Sequence, residues 1–313
     1  MARVGIVGGG IMGSAIATWL VTDGHEVTVH ERDIGGLPAS TGNAALLAIR
    51  EIDPIAMPTT LLSVPRWMMD PNGPLALRPS DLPRFIPWLL AFTASARPSR
   101  IQAARKALAF LLRRALPAHE ELERRAGIPR YIRHTGSLTI YDHPSGLDAA
   151  RESAAHVKAL LGHETEELTP AEARRYAPAL EGPFAGATLA PEYRMATHPL
   201  TVLRGLQAFV RERGRIKTGV VERIEASEAG PLVVGADGST DTYDIVVVAA
   251  GVWSRDIVRR LGLKVLLEAE RGYNTTFPGM PIDLPLPVFF GDHAFVASPL
   301  EGALRIGGAV ELA

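Results

Sequence analysis

The sequence predicts a mixed α/β fold, α+β overall, that begins with a nucleotide-binding βαβ unit. A short β-branched apolar run at 4–7 ends in a glycine-rich turn, and an apolar helix-like segment follows. A second strand at 26–30 ends at Glu31, which completes the order strand, helix, strand. After residue 214 the pattern changes to short alternating segments that predict further strands.

The glycine turn predicts a dinucleotide site. Gly8, Gly10 and Gly13 have the spacing G-x-G-x-x-G between a strand and a helix. Gly8 permits the tight turn, Gly10 lets a pyrophosphate approach the backbone, and Gly13 lets the helix pack closely on the strand. The first amides of the helix and its positive dipole end also favour the pyrophosphate. Glu31 lies about 20 residues beyond the first glycine, where a carboxylate binds the adenosine ribose.

The remaining elements are predicted from periodicity and from turn residues. Residues 34–50 are turn-rich and then helix-like, and a helical region spans about 59–126 with its clearest helix at 101–116. We expect breaks in that region at Pro65, Pro71, Pro74, Pro79, Pro83 and Pro87. A strand is predicted at 136–141, helices at 147–161, 170–176 and 199–213, and strands at 216–226, 232–235 and 240–249. The segment 263–313 alternates like antiparallel strands.

The valine-rich run at 245–250 determines the predicted domain organisation. This run is apolar on both faces, as a buried central strand is, and a helix follows from about Ser254. Because nucleotide-type strands occur near residue 5 and near residue 245, we expect two interleaved domains. We predict a nucleotide-binding domain at 1–58 and 195–262, and a substrate or cap domain at 59–194 and 263–313.

Composition excludes several classes of function. The 313 residues are 47% hydrophobic and carry a net charge of −1, so no overall field attracts nucleic acid. The chain has no cysteine, which excludes disulfides, thiolate catalysis and iron–sulfur clusters. The histidines show no two-ligand spacing on a common element, so we expect no metal site. Because the predicted first strand begins just after Met1 and no apolar run reaches about 20 residues, we expect neither a leader segment nor a membrane span, and hence a cytoplasmic protein.

Five segments carry a resemblance to a known family. They are the glycine motif with Glu31-Arg32, the loop Ser40-Thr41-Gly42-Asn43-Ala44, Gly219-Val220-Val221, Val246-Val-Val-Ala-Ala-Gly-Val-Trp-Ser254, and Glu270-Arg-Gly-Tyr273. The chain thereby resembles the FAD-dependent D-amino-acid dehydrogenase and oxidase (DAO) family, and is most like bacterial D-amino-acid dehydrogenases and hydroxyproline dehydrogenases. The resemblance runs from residue 3 to the last residue. It implies a Rossmann-like FAD-binding domain interleaved with an antiparallel-sheet substrate domain.

The resemblance also implies which residues of this chain bind FAD. The glycine motif would hold the pyrophosphate, and the loop 40–44 would pass beside the ribityl chain and the flavin ring. The backbone of Val221 would contact adenine, and Ala250 with Gly251 would close over the pyrophosphate. The implied cofactor-binding residues are Gly8, Gly10, Ile11, Met12, Gly13, Glu31, Arg32, Ser40, Thr41, Gly42, Asn43, Ala44, Val221, Ala250, Gly251 and Trp253.

The reaction that the resemblance implies is oxidative deamination of a D-amino acid. Hydride would pass from Cα to N5 of the flavin, and water would hydrolyse the imino acid to a 2-oxo acid and ammonia. Because FAD supplies the difficult step, the protein needs neither a metal nor a nucleophile. The catalytic candidates are Arg271, whose fork can bind a carboxylate, and Tyr273 on the same strand face. A solvated arginine and a packed aromatic residue are the alternatives.

The segment 83–116 has two interpretations. Its first part is apolar and aromatic, and the next helix carries Arg105, Lys106, Arg113 and Arg114 on one side. This helix either covers the substrate domain with a solvated basic face, or docks peripherally on the inner face of the cell membrane. The second interpretation would suit a dehydrogenase that delivers electrons to quinone.

Two other functions stay open. The segment Gly10-Ile-Met-Gly13 also resembles the opening of NAD(P)-dependent 3-hydroxyacid dehydrogenases, although the strand-rich second half does not match their helical domain. DAO family members continue beyond the equivalent of residue 313, and the resemblance therefore implies that this chain lacks the family's Gly-x-Arg-Pro and Gly-His-Gly segments. A truncated, inactive flavoprotein is the remaining alternative, as is a subunit completed by another chain or by an oligomer.

Overall fold

The structure, a computed structural model, describes residues 1–69, 75–77, 82–128 and 131–312. The chain divides into two units, and each is discontinuous in sequence. The first unit comprises Met1–Thr41, Ala118–Tyr131 and Pro199–Ala269, and the second comprises Gly42–Pro117, Ile132–His198 and Glu270–Ala313. The functional domain boundaries given above stay a prediction.

The described segments contain helices, strands and two short 3-10 turns. The helices are α1 (Ile11–Thr22), α2 (Pro58–Met69), α3 (Leu82–Ser95), α4 (Pro98–Ala126), α5 (Pro144–Leu161), α6 (Pro170–Tyr176), α7 (Pro199–Arg213) and α8 (Ser254–Arg260). The 3-10 turns lie at Ala39–Thr41 and Gly251–Trp253.

The strands are short in both units, and most contain between three and six residues. They are β1 (Arg3–Val7), β2 (Glu26–Glu31), β3 (Leu46–Leu47), β4 (Leu75–Leu77), β5 (Ile132–His134), β6 (Ser137–Tyr141), β7 (Glu166–Leu168), β8 (Gly186–Ala190), β9 (Arg194–Ala196), β10 (Arg215–Thr218), β11 (Val221–Ser227), β12 (Gly230–Gly235), β13 (Thr240–Thr242), β14 (Ile245–Val248), β15 (Glu270–Pro278), β16 (Val288–Phe290), β17 (Phe295–Leu300) and β18 (Ala303–Leu312).

A parallel sheet with the order β10-β2-β1-β14 organises the first unit. Val7 pairs with His30 on one side and with Val248 on the other, so these strands end at the same edge of the sheet. This arrangement confirms the predicted βαβ unit. Side chains of β1 and β2 are buried with helix residues in one cluster, which contains Val4, Ile6, Ala17, Val27, Val29 and Val210.

The position predicted for the valine-rich strand was wrong, although its apolar character was interpreted correctly. Among the described strands, β14 lies at an edge of the parallel sheet rather than at its centre. Val247 and Ala249 pack on the cluster of β1 and β2. Val246 and Val248 pack on a second cluster that contains residues of the sheet β11-β12-β13. Because the sheet β11-β12-β13 packs on one face of β14 and the cluster of β1 and β2 on the other, this edge strand is apolar on both faces.

Three other predictions require correction. The segment 216–226 divides into β10 and β11, which belong to different sheets, and 240–249 divides into β13 and β14. The second division occurs where the main-chain N–H of Arg3 donates to the carboxylate of Asp244, at 2.7 Å, and the chain changes sheets. Residues 34–50 contain only a 3-10 turn and β3 instead of the expected helix.

Prolines interrupt the helical region less than predicted. Pro65 and Pro87 lie inside α2 and α3, and α4 continues through Pro117 to Ala126. Packing of long amphipathic helices therefore outweighs the local cost of proline. Pro83 lies in the first turn of α3, where proline is tolerated. The breaks predicted at Pro71, Pro74 and Pro79 lie outside the described residues.

A mixed sheet with the order β15-β18-β17-β16-β6-β8-β7 organises the second unit, and β4 pairs with β18. Alternate residues of β6 face opposite sides of this sheet. Leu138 and Ile140 join the main core, where Ala173 and Ala177 of the α6 region cover them. Ser137, Thr139 and Tyr141 face the other side and line a cavity. The helices predicted at 170–176 and 199–213 are confirmed, and no helix within the described ranges could span a bilayer.

Candidate functional site

The turn between β1 and α1 requires glycine for two different reasons. Gly8 has φ +106°, a conformation that side chains disfavour, and a Cβ there would lie 2.5 Å from the carbonyl oxygen of Ala249. A Cβ on Gly13 would lie 1.8 Å from the carbonyl oxygen of Gly8, because the helix packs directly on the turn. At Gly10 an added Cβ would lie 3.2 Å from the Ser40 hydroxyl, a tight contact that a small shift of this side chain would relieve.

The main-chain amides of this turn are only partly used. The Gly9 amide donates to Glu31 Oε2 at 2.6 Å, and the Ile11 amide donates to Ser40 Oγ at 3.1 Å. The amides of Gly10 and Met12 have no hydrogen-bond partner within the described ranges. These two amides belong to the end of α1 that carries the positive end of the helix dipole. The turn therefore presents unpaired donors that suit an anion.

A crevice of about 670 Å³ opens beside this turn in the first unit. Its volume lies within the range of about 300–1,000 Å³ that ligand pockets have. Its walls are formed by the start of α1, the end of β2, residues 36–40, residues 219–222 and residues 248–253. Many of the residues predicted to bind the cofactor line this crevice. They are Gly8, Gly10, Ile11, Met12, Glu31, Arg32, Ser40, Val221, Ala250, Gly251 and Trp253.

Charged side chains fix one side of the crevice. Glu31 accepts a second hydrogen bond from the Asp33 amide at 3.1 Å, which orients its carboxylate. The Arg32 guanidinium lies 3.5 Å from the centre of the Trp253 indole, a cation–π contact between two lining residues. The sequence indicated both residues, but nothing in it indicated that they contact one another.

His30, the residue before Glu31, is a buried histidine that also lines the crevice, and sequence reasoning did not select it. His30 Nε2 lies 2.8 Å from the Tyr243 hydroxyl and 4.0 Å from Asp241. Burial lowers the pKa of His30, an effect that Asp241 opposes and Lys217 reinforces. Burial also raises the pKa of Tyr243 to about 12. At neutral pH the ring of His30 is therefore uncharged beside the dinucleotide crevice.

The second unit contains a cavity of about 540 Å³ with a different lining. Hydroxyl groups of β6 and β8 line one side, and aromatic rings line another. The ring of Tyr193 lies 6.1 Å from that of Phe289, and both belong to the cavity wall. Burial raises the pKa of Tyr141, so its phenol stays protonated and able to donate. The cavity thus combines hydroxyl donors with apolar surface.

Arg50 is the main charged group of this cavity wall, and its guanidinium is engaged. It donates to the Glu164 carbonyl at 3.2 Å, to Glu192 Oε2 at 3.3 Å and to Thr165 Oγ1 at 2.5 Å. Only 10% of the Arg50 side chain is exposed. Asp53, also in the wall, accepts hydrogen bonds from Arg105 and Ser153. These ion pairs shape the cavity, in which the Tyr141 hydroxyl hydrogen-bonds with those of Thr139 and Thr188.

The two catalytic candidates lie side by side on β15 but outside the lining of that cavity. The Tyr273 hydroxyl donates to Glu311 Oε2 at 2.6 Å, and this hydrogen bond raises the pKa of Tyr273. Arg271 Nη1 lies 3.8 Å from the same oxygen, and 60% of its side chain is exposed. The structure therefore brings Arg271 and Tyr273 together around a buried carboxylate.

The predicted flavin loop is divided between the two units. Ser40 and Thr41 belong to the first unit, whereas Gly42, Asn43 and Ala44 belong to the second. Within the second unit, Asn274 of β15 donates to the Gly42 carbonyl at 2.9 Å. Arg305 of β18 donates to the Asn43 carbonyl at 2.7 Å. The loop is thus attached through its main chain to the same pair of strands that carries Arg271 and Tyr273.

Comparison with known proteins decides the family. The chain matches the family described as "DAO: FAD dependent oxidoreductase" over residues 3–313. The chain belongs to this family. It is 28% identical over 315 residues to the D-amino-acid oxidase of Bradyrhizobium diazoefficiens, covering 99% of this chain and 74% of that protein. It is 30% identical over 320 residues to the D-amino acid dehydrogenase of Methylobacterium nodulans, covering 99% and 76%.

Solved structures agree in fold. The glycine oxidase from Geobacillus kaustophilus superposes with a TM-score of 0.68 at 22% identity, covering 99% of this chain and 72% of that one. At this identity the likeness shows the fold alone. Family membership confirms the resemblance inferred from the sequence, with FAD as the cofactor and oxidoreduction as the reaction class. It decides against the nicotinamide-dependent alternative.

The first unit fits the adenosine diphosphate half of FAD. Within 4 Å, an added Cβ of Gly10 would meet one side-chain atom of the described residues, Ser40 Oγ at 3.2 Å, and unpaired amides adjoin this position. The Glu31 carboxylate stands at the end of β2, the position at which an acid binds an adenosine ribose. With FAD bound there, the Gly10 and Met12 amides would donate to the diphosphate, and Glu31 would accept from the ribose hydroxyls.

Proposed function

We propose that this chain oxidises the α-carbon of an amino acid, giving an imino acid that water hydrolyses to a 2-oxo acid and ammonia. FAD, when bound, accepts the two electrons and the hydrogen that leave the α-carbon. The observation that carries this proposal is family membership over nearly the whole chain, together with a backbone cradle in the first unit that suits the diphosphate. The names of the relatives support an amino acid, and D-amino acids in particular, as the substrate.

Within the second unit, we assign the substrate carboxylate to Arg271, and Tyr273 would have to exchange its hydrogen bond to Glu311 for one to that carboxylate. Among the described residues, Arg271 pairs with Glu311 at 3.8 Å and interacts with Tyr273, and 60% of its side chain is exposed, so its guanidinium can turn donors to a carboxylate. Glu311 orients both side chains by accepting from Tyr273 and by pairing with Arg271. The hydroxyl-lined cavity is the second candidate position, where the hydroxyls of Thr139 and Tyr141 would have to exchange their mutual hydrogen bond for one to a carboxylate.

The reaction is tested on the full chain reconstituted with FAD. Glycine and the D and L forms of amino acids with small, large, acidic and basic side chains are added without oxygen, and flavin absorption is followed. Bleaching by one stereochemical series, with matching release of ammonia, supports the proposal. Stable flavin binding without bleaching by any amino acid contradicts it, and that result would favour the inactive-flavoprotein alternative.

The substrate site is tested by comparing variants of the two candidate positions. Arg271→Met removes the guanidinium, whereas Tyr141→Phe and Thr139→Val remove hydroxyl groups from the cavity. If β15 binds the carboxylate, Arg271→Met raises KM by about tenfold or more, because a charged hydrogen bond is lost. If Tyr141→Phe raises KM more than Arg271→Met does, the result would instead assign the carboxylate to the cavity. Arg151→Met, at an exposed ion pair of the same unit, is the control.

The predicted membrane contact of 83–116 remains a second proposal. Several apolar side chains of α3 and α4 are exposed, among them Leu90 at 67% and Phe110 at 59%. The Arg114 guanidinium lies 4.0 Å from the centre of the Phe110 ring, so basic and apolar groups adjoin on α4. Flotation with vesicles of anionic lipid tests this contact. Recovery of all protein in the unbound fraction at low salt would contradict the membrane contact.

Completion by another chain or an oligomer, and the cytoplasmic location, stay predictions.

A further inference from the structure

A buried glutamine of α7 is bonded to the glycine turn. Only 4% of Gln207 is exposed, and its Nε2 donates to the carbonyl oxygen of Gly9 at 2.8 Å. The Ser14 hydroxyl donates to the same oxygen at 3.0 Å. A buried amide with a defined partner is costly to misplace, so these two donors fix the direction of the Gly9 carbonyl.

Fixing this carbonyl also fixes a neighbouring amide. The peptide between Gly9 and Gly10 is trans, so its C=O and N–H point in opposite directions. The carbonyl is directed at Gln207, and the Gly10 N–H must therefore point away from that side chain. Gly10 lines the crevice, and its amide has no partner among the described residues. With glycine on both sides, this peptide would otherwise rotate readily.

Arg204, one turn earlier on α7, orients the glutamine. Its guanidinium donates to Gln207 Oε1 at 3.0 Å, which leaves Nε2 as the group facing Gly9. The same guanidinium donates to the carbonyls of Ile34, Gly35 and Gly36 in the segment after β2. Gly36 lines the crevice. Arg204 and Gln207 therefore hold two walls of one crevice from a single helix.

From these contacts we infer that Gln207 and Arg204 are positioning residues for diphosphate binding. They act through the Gly9–Gly10 peptide and keep the Gly10 amide directed into the crevice. This inference rests on the proposed function, in which that amide binds the diphosphate of FAD. It predicts that removing Gln207 weakens ligands with a diphosphate and spares ligands without one.

The experiment uses the full chain freed of flavin, titrated calorimetrically with ADP and with adenosine. Gln207→Leu has similar size but lacks both hydrogen bonds. We expect ADP affinity to fall about tenfold, the value of one charge-assisted hydrogen bond, with adenosine affinity unchanged. Gln207→Glu keeps the bond from Arg204 but loses the donor to Gly9, so we expect a similar selective loss even if the leucine variant folds poorly.

Thr18→Val is the matched control, because Thr18 is also buried and its hydroxyl also bonds a main-chain carbonyl, that of Ser14. We expect this variant to bind ADP like the unmodified chain. Equal losses for ADP and adenosine in the glutamine variants, or no loss for either, would overturn the inference while the unmodified chain still binds ADP. Failure of the unmodified chain to bind ADP would instead contradict the flavin site itself, and the inference with it.

Discussion

The crevice of the first unit and the cavity of the second have similar volumes, about 670 and 540 Å³, but they are built from different chemical groups. The crevice is formed around main-chain amides and glycines, with Glu31 as its principal acid. The cavity is lined by hydroxyl groups, aromatic rings and the ion pairs of Arg50 and Asp53. The crevice therefore depends mainly on the conformation of the main chain, whereas the cavity depends mainly on the identity of its side chains.

This difference separates a general requirement of diphosphate binding from the specific requirements of substrate binding. A diphosphate is recognised by amides that every residue supplies, so such a site demands small residues more than particular functional groups. A substrate is distinguished by side-chain contacts, and these can change without moving a strand. Substitutions in the first unit should therefore affect cofactor binding or folding, whereas substitutions in the cavity should affect the second unit alone.

The largest effect is expected for Gly13→Ala. The added methyl would stand 1.8 Å from the Gly8 carbonyl oxygen, so α1 would have to move away from β1. We expect the free energy of unfolding to fall by about 3 kcal/mol or more. Gly272→Ala, on β15, is the control because no atom lies within 4 Å of its added methyl. Urea denaturation of both variants measures the difference, and equal stability would show that the turn is not closely packed.

A smaller effect on stability, with a clear effect on binding, is expected for Gly10→Ala. The new methyl would lie 3.2 Å from the Ser40 hydroxyl, which accepts from the Ile11 amide, so Ser40 has to shift slightly and the loss of stability should be much smaller than for Gly13→Ala. The methyl would occupy space assigned to the diphosphate, and we expect ADP affinity to fall about a hundredfold through loss of two amide contacts. Calorimetry and thermal unfolding measure the two properties separately. Unchanged flavin occupancy in this variant would contradict the proposed position of the cofactor.

How far the sequence predicts each site follows from the same comparison. The first site lies mostly within residues 8–40, and its glycines, its acid and its strand order are local signals. The boundaries of α6 and α7 were also predicted correctly, because Pro170 and Pro199 begin these helices and the apolar period is regular. Local pattern and tertiary structure agree in these elements.

The sequence could not predict contacts between distant segments. The position of β14 at a sheet edge depends on the separate sheet β11-β12-β13 that covers it. The cavity draws on Arg50, Tyr141, Thr188 and Phe289, which no spacing rule connects. The sequence shows Gln207 only as a polar residue of an amphipathic helix. The structure shows that its side chain is buried and hydrogen-bonded to Gly9. Burial of a polar side chain has no signature in a single sequence.

In the second unit, Arg50→Met should reduce stability by about 2 kcal/mol without changing ADP affinity. The substitution leaves Glu192, 26% exposed, without its cation, and it removes donors from two further acceptors. Arg151→Met is the control, since its ion pairs are largely exposed and should contribute little to stability. Denaturation and calorimetry are measured on the same preparations. Loss of ADP binding in Arg50→Met would show that the two sites are coupled rather than independent.

The smallest effect concerns pH and the buried histidine of the crevice. Burial lowers the pKa of His30 in the folded chain below its ordinary value of 6.5, although Asp241 opposes the shift. As the pH falls through 6.5, the unfolded chain takes up a proton that the folded chain does not, so folding is destabilised on the acid side. Below the folded pKa, both states bind the proton and this destabilisation stops growing.

Comparison of unfolding at pH 7.5 and 5.5 between the unmodified chain and His30→Gln isolates the effect. We expect the glutamine variant to have the weaker pH dependence, since its side chain can still reach the Tyr243 hydroxyl but cannot titrate. An identical pH dependence in both proteins would mean that the attraction of Asp241 fully compensates the desolvation of His30.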